Sequence, residues 1–380
     1  MERSLSWLAG QRPAMETLLA EIVTLPSHTA DKAGVDAVGR ALERAFPLPV
    51  TRNASKVFGD HLLFSGRRPA RDGGLILVGH HDTVFPAATF SGYRVADGLA
   101  RGPGVVDMKG GLVLMAFALR ALEDEGLLHE LPLTVAVVAD EEVGSPESAP
   151  MVRAAAAGAR AALVFESGRS GDAIITMRKG TGSVHVVARG RAAHAGASHR
   201  QGRNAVWAMA RFVDAAQKLT DYDRGITVNV GKVWGGIGKN TVPDLAEAEL
   251  DFRFVSRPDG AWVMARLEEA ALAAAGGISG TAIDLTGGPA RTPLERTAAS
   301  AALSARYAES QRAVGLDARE APLVGGGSDA STCADAGVPA IDGLGPRGDG
   351  FHTLDEHLDL ESLVPKTQAL AHFLVRFARS

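Results

Sequence analysis

Five stretches of this sequence bring together side chains that hold metal ions or move protons, and each stands at the end of an apolar run or in a glycine-rich turn. Gly79-His80-His81-Asp82-Thr83-Val84 follows the run 75–78, Asp140-Glu141-Glu142 follows 133–139, and Glu166 follows 161–165. Gly102-Pro103-Gly104-Val105-Val106-Asp107-Met108-Lys109-Gly110-Gly111 sets an aspartate where a glycine loop enters a helical pattern. Gly345-Pro346-Arg347-Gly348-Asp349-Gly350-Phe351-His352 delivers a histidine from a second such loop. His80, Asp107, Glu142, Glu166 and His352 together make two imidazoles and three carboxylates. That inventory suits two zinc ions about 3.5–4 Å apart if one carboxylate bridges them. With Cys333 as the only cysteine, no thiolate cluster can form, and mixed nitrogen and oxygen ligation leaves positions open for water.

Neighbouring positions suggest supporting roles. Alternation along a strand sends His80 and Asp82 to one face, so Asp82 can take the other ring N–H of His80 and orient it, while His81 points away. Two adjacent carboxylates, Glu141 and Glu142, divide the work best as a general base and a ligand. Each residue also has a plainer reading: His80 as a structural histidine, Glu141-Glu142 as a solvated turn, Glu166 as a surface acid, Asp107 as a helix N-cap. Placement beside Asp82 and the other motifs outweighs the plain reading for His80, and position after the run 133–139 does so for Glu141-Glu142; the N-cap reading of Asp107 is compatible with a metal role, and Glu166 rests mainly on the family resemblance given below. Cys333 reads as buried and inert, His81, His185 and His199 as structural, and Arg178-Lys179-Gly180 as a hinge with solvated basic side chains.

The elements that must position these residues alternate. Apolar spacing of three and four over 13–25 and 35–46 predicts two amphipathic helices, the runs 75–79, 133–139 and 161–165 predict buried strands, and 107–126 predicts a helix between the first two. This is an α/β layout, and in open α/β sheets ligands sit beyond the carboxyl ends of the strands, where the acidic and imidazole residues fall. From Gly182 the rhythm becomes strand, helix, strand, strand, helix, strand, the ferredoxin-like pattern. After Pro289 the first style returns and closes with an amphipathic helix over 360–376. The expected organisation is a mostly parallel sheet flanked by helices, formed by 1–179 and 291–380, with an inserted α+β domain over 180–290.

At this point the motifs resemble a known family, the co-catalytic di-zinc hydrolases of metallopeptidase family 20. It includes glutamate carboxypeptidases of the carboxypeptidase G type, acetylornithine deacetylase, succinyl-diaminopimelate desuccinylase and aminoacylase. GHHDTVFP, GPGVVDMKGG, ADEEVGS, FES, GRAAHAG and GLGPRGDGFHTLDE carry the resemblance over nearly the whole chain. It implies a zinc-exopeptidase-like fold with a lid and dimerisation domain. It also implies His80, Asp107 and Glu166 on one zinc and Asp107, Glu142 and His352 on the other, with Asp107 bridging. Asp82 would orient His80, and Glu141 would be the base and then the acid. His194 would stabilise the oxyanion, reaching the active site of the partner subunit in a homodimer. Asn240 and Arg253 would grip the substrate, the guanidinium on its carboxylate, beside the backbone of Gly326 and Gly327. Arg253 also has a plainer reading, as a partner of Asp251. In glutamate-specific relatives a further arginine is expected where Gly288 stands, and Arg291 is the residue at hand to replace it.

The implied enzyme cleaves the amide bond of a peptide or N-acyl amino acid. N-acyl amino acid deacylation is the alternative substrate class, and a non-catalytic metal-binding homologue is the alternative outside enzymes, disfavoured because Glu141 is present. Manganese or cobalt are the substitutes to weigh against zinc. Formal charge is 40 − 44 = −4, which lacks the basic excess of a nucleic-acid or membrane-surface binder. The longest apolar runs fall far short of the roughly 20 residues of a membrane span, and the N-terminus lacks the pattern of a secretory signal. One cysteine fits a reducing, cytoplasmic setting. A GxGxxG fingerprint is not found at the first strand, which disfavours redox chemistry.

Overall fold

The computed structural model describes residues 2–379, which fall into two compact units. The larger comprises the chain up to Met177, Arg296–Leu323 and the chain from Ser328 on; the smaller comprises Arg178–Glu295 with Val324–Gly327.

The larger unit is built on a six-stranded sheet in the order Val50–Asn53, His61–Ser65, Leu133–Val138, Leu75–His80, Ala161–Val164, Ala340–Ile341. The last four run parallel to one another, His61–Ser65 pairs antiparallel with Leu133–Val138, and Val50–Asn53 pairs antiparallel with His61–Ser65. Every residue of Leu75–His80 and Leu133–Val138 is buried. Helices cover both faces of such a sheet, and its strands therefore read as unbroken apolar runs. On one face Leu75, Leu77, Val135 and Val137 share a core with Leu112 and Met115 of helix Gly110–Asp124 and with Leu370 and Leu374 of helix Leu363–Ala378. On the other, helices Ser148–Ala156 and Asp329–Asp335 pack on the central strands. The carboxyl ends of Leu75–His80, Leu133–Val138 and Ala161–Val164 consequently bring His80, Glu141-Glu142 and Glu166 to one edge of the same sheet.

The smaller unit is a four-stranded antiparallel sheet in the order Thr227–Gly235, Leu245–Phe254, Gly180–Arg189, Ala282–Arg291. In the order of its own strands this is 2-3-1-4, the ferredoxin-like arrangement of a βαββαβ chain. Burial alternates along Gly180–Arg189 and Leu245–Phe254. One face packs Val184, Val186, Leu250 and Phe252 against Met209, Phe212, Val263 and Leu267 of helices Ala205–Gln217 and Arg257–Gly276. Each helix begins at a side-chain cap: Asn204 accepts from the Trp207 amide and Ser256 from the Asp259 amide.

Several details differ from the sequence reading. The helix expected from residue 107 begins at Gly110, after a wide turn over Val105–Lys109. Asp107 does not cap that helix, whose N-cap position is held by Lys109 with no side-chain hydrogen bond. Arg178 is buried rather than solvated, and its Nη1 donates to the Gly326 carbonyl at 3.1 Å. The glycines of Val324–Gly327 are therefore built into the smaller unit. A second four-stranded sheet, Gly348–Asp349, His357–Asp359, Leu99–Arg101 and Arg94–Ala96, escapes sequence reading because its strands are two or three residues long, too short for a period to emerge.

Candidate metal centre

Two overlapping groups of donors form in the larger unit. One donor atom from each of His80, Asp107 and Glu166 lies within 4.8 Å of the other two, and the same holds for Asp107, Glu142 and His352. Asp107 belongs to both, and its two oxygens face different ways. Oδ1 is 3.3 Å from Nε2 of His80, whereas Oδ2 is 3.4 Å from Nε2 of His352. Glu166 closes the first group at 3.6 Å from His80, and Glu142 the second at 3.2 Å from His352. The buried Nε2 of His80 makes no hydrogen bond although two carboxylates lie beside it. A buried polar atom left without a partner carries a desolvation cost. A cation between the imidazole and the carboxylates removes it, so the residues present fit divalent metal ions.

The charges tell the same story. Burial opposes a proton on His80, but Glu166, Asp107 and Asp82 outweigh it and raise its affinity well above that of free imidazole. His352, half-exposed, is pushed up to about 10 by its contacts with Asp107 and Glu142. Glu166 is pushed up to about 7 by burial and, less strongly, by the charge of Asp107, while His80 works the other way. Burial likewise raises Glu142, and Asp107 is held low by the two imidazoles despite its burial. Carboxylates crowded this closely gather positive charge, and in the protein without ions protons supply it.

Asp82 sits behind both groups. The strand ends at His80, so alternation does not extend to Asp82, and the nearest acceptor for Nδ1 of His80 is the Asp82 backbone carbonyl at 3.1 Å, ahead of its carboxylate at 3.4 Å. The carboxylate itself accepts from the Thr29 hydroxyl at 2.8 Å and from the amides of Glu141 and Glu142 at 3.3 Å each. One buried residue thus faces the imidazole chiefly through its backbone carbonyl and, through its carboxylate, pins the turn that carries the Glu141-Glu142 pair. Asp140 anchors the other side of that turn, accepting from the amides of Glu147 and Ser148 at 2.8 and 3.1 Å. His81 joins neither donor group. It bonds the Val138 carbonyl at 2.7 Å, and burial lowers it to about 4, which keeps it neutral.

The loop of Asp107 is shaped by close packing and by a residue that sequence reading missed. Gly104 has φ +71° and approaches so near that a Cβ there would lie 2.4 Å from Cγ2 of Thr83, a place only glycine fits. Glu356, fully buried, accepts from the amides of Gly104, Val106 and Asp107 at 3.0, 2.9 and 3.1 Å. Its sequence hint is faint: an acid four residues after His352 in a loop that already holds other acids.

In the smaller unit, Ala193–His194 pairs with Thr241–Val242, with His194 opposite Thr241. The Ala195 amide bonds the Asn240 carbonyl at 2.9 Å, so two expected substrate-contacting residues share one short ribbon. Nδ1 of His194 accepts from the amides of Gly196 and Ala197 at 3.1 and 3.0 Å. Two donors on one nitrogen fix the tautomer, and Nε2 therefore carries the proton. Arg253 forms a fork with Asp251, Nε to Oδ1 at 2.8 Å and Nη2 to Oδ2 at 3.0 Å. His185 pairs with Glu247 at 2.9 Å. Cys333, back in the larger unit, is buried in helix Asp329–Asp335, and burial pushes its thiol up. Arg291 is buried too, and a Cβ on Gly327 would meet its Cδ at 2.8 Å.

Known proteins resemble the chain over nearly its whole length. The description "Peptidase family M20/M25/M40" matches residues 76–376, a span that holds all five ligand candidates. Carboxypeptidase G2 of Pseudomonas sp. (strain RS-16) is 29% identical over 378 residues, covering 96% of this chain and 89% of that protein. Acetylornithine deacetylase of Myxococcus xanthus is 30% identical over 264 residues, 63% of this chain and 67% of the relative. In fold, the crystal structure of aminopeptidase PepT from Bacillus cereus ATCC 10987 matches with a TM-score of 0.80 at 21% identity, covering 97% of this chain and 99% of that one.

Proposed function

The chain belongs to peptidase family M20/M25/M40, a metal-dependent family of amide-bond hydrolases, and from this premise we propose that it is a di-zinc exopeptidase of the glutamate carboxypeptidase type, cleaving the amide bond of a peptide or an N-acyl amino acid. The observation that carries the reading is Asp107, one oxygen turned to His80 and the other to His352. We assign His80, Asp107 and Glu166 to one ion and Asp107, Glu142 and His352 to the other; manganese and cobalt suit the same nitrogen and oxygen donors. Divalent ions bound there polarise a substrate carbonyl and acidify water.

The remaining steps belong to the side chains. Glu141, on the turn held by Asp82, takes the proton of the attacking water and passes it to the leaving nitrogen. Asp82 holds the His80 ring in register with its ligand role. His194, reaching into the active site of the partner subunit, stabilises through a hydrogen bond from its Nε2–H the oxyanion that develops on the carbonyl. Asn240 and Arg253 grip the substrate, the arginine by its carboxylate: Asp251 engages Nε and Nη2 of the guanidinium, and Nη1 is the donor we assign to the substrate. Gly326 and Gly327 contribute backbone amides beside it. The smaller unit acts as lid and dimerisation surface. Its edge strand Thr227–Gly235 carries Val233 and Trp234, which are 54% and 44% exposed, a combination that a second copy of the chain would cover. No helix among the described residues is long and apolar enough to cross a membrane, and we place the enzyme in the cytoplasm, in keeping with its single cysteine.

One observation favours N-acyl amino acid deacylation as the second reading. Gly287 and Gly288 have φ +115° and +154°, and a Cβ on Gly287 would lie 2.3 Å from the Ser183 carbonyl. An arginine at 288 would be strained in this backbone, and Arg291 is buried beside Gly327. A substrate with a single carboxylate suits this strand better than one with two.

The test is zinc quantitation joined to a substrate screen. The purified protein should carry two zinc equivalents, lose turnover to a chelator and regain it with zinc. Faster release of amino acid from peptidyl glutamates than from acyl amino acids selects the first reading, and the reverse selects the second. Fully loaded protein that turns over neither class rejects both.

A further inference from the structure

Glu356 joins two ligands that are far apart in sequence. Its oxygens accept from three amides of one loop, Gly104 on Oε2 and Val106 and Asp107 on Oε1. The last of these is the amide of the bridging candidate itself. Its own backbone lies in the loop that carries His352: the Glu356 amide bonds the Thr353 carbonyl at 3.3 Å, and a Cβ on Gly350 would lie 2.7 Å from the Asp355 carbonyl. Lys109, fully buried, is the cation that faces Glu356, and its Nζ donates to the Leu25 carbonyl at 3.2 Å. A carboxylate taking three amide donors is a strong, directional anchor. Glutamine in its place would offer one acceptor and turn an NH2 group toward N–H donors.

The two donor groups depend on this anchor unequally. His80 and Glu166 are set by the ends of Leu75–His80 and Ala161–Val164, and Asp107 alone connects their group to Glu356. In the other group, Asp107 and His352 are both held through it, leaving only Glu142 independent. We infer that Glu356 is a positioning residue that preorganises the Asp107, Glu142 and His352 group for its cation. This inference rests on the two-ion reading above and extends it to a residue outside the ligand set. Partners one shell beyond the ligands typically contribute about 10–100-fold to metal affinity.

The test is a Co2+ titration of the ion-free full chain, followed by visible absorption, in the native protein, Glu356→Gln and His352→Ala. Loss of a step in His352→Ala identifies the step that belongs to its group. Glu356→Gln should weaken that same step by about 10–100-fold and leave the other nearly in place, with the thermal transition of the ion-free protein recorded alongside. Equal weakening of both steps, or no change in either, overturns the inference, since a general structural staple would behave in one of those ways. Should Glu356→Gln not fold, Glu356→Asp, which keeps the charge on a shorter arm, is held to the same criterion with a smaller expected shift. A native protein that shows only one step refutes the two-ion reading instead, so the two failures are distinguishable.

Discussion

The two donor groups that share Asp107 are built in opposite ways. His80 is 1% exposed and ends a fully buried central strand, with Asp82 behind it and Glu166 on the neighbouring strand end. His352 sits in a glycine-rich loop at φ +64°, its side chain 53% exposed, and Glu142 stands on a tight turn. The first group is fixed by the sheet, and the second by loops that lean on buried carboxylates. A hydrolytic centre needs both qualities: ligands that hold a cation at a set depth, and an approach by which substrate and water arrive. The group of His80 meets the first need, and His352, the exposed member of the other group, the second.

The largest effect should come from the residue that the groups share. Asp107→Ala should abolish binding at both, so that metal analysis finds neither ion and turnover falls by more than the about 10²–10⁴-fold lost with a proton-transfer group. Retention of one ion at full occupancy would break the claim that Asp107 bridges. Glu141→Ala comes next. It should keep both ions and lose about 10²–10⁴-fold in kcat, and unchanged turnover would remove the proposed base.

A smaller and more telling contrast separates the groups directly. His352→Ala should cost the exposed group its ion while the buried group still fills. His80→Ala should impair both, because it also frees Asp107 and Asp82 from their partner. Ion-binding stoichiometry for the two variants measures this, and identical losses would erase the distinction between depth and exposure.

The candidate residues, though not this contrast, could be read before the structure, and the reasons are local. As ligand candidates, His80 and Glu142 stood out because each follows a run of buried apolar residues, which marks the carboxyl end of a strand in a parallel sheet, whereas Glu166 was reached mainly through the resemblance of its Phe-Glu-Ser motif. The ferredoxin-like unit was legible because its strands and helices are long enough to show their periods. Glu356 was not, because its role consists of backbone amides gathered from a turn some 250 positions earlier, and no spacing records that. The short strands around Arg94–Ala96 and His357–Asp359 fell below any period. Arg178 was misread because a basic residue at a junction looks solvated until its carbonyl partner is seen.

The smallest expected effect is in pH. Asp107 and Glu142 push His352 up to about 10, above the about 6.5 of an unfolded histidine. In the ion-free protein this contribution to stability is fully present below pH 6.5 or so and is lost as pH rises through about 10. A cation needs the neutral imidazole, so its binding expels the proton and its apparent affinity climbs about tenfold per pH unit across that window. Thermal melts of ion-free and zinc-loaded protein should therefore diverge as pH rises. Curves that stay parallel would mean that the ion does not displace a proton from His352.

The most direct measurement is anomalous diffraction at the zinc absorption edge from crystals of the zinc-loaded protein. Two peaks are expected, one beside Oδ1 of Asp107 between His80 and Glu166, the other beside Oδ2 between Glu142 and His352. A single peak, or peaks that do not have Asp107 in common, would contradict the account.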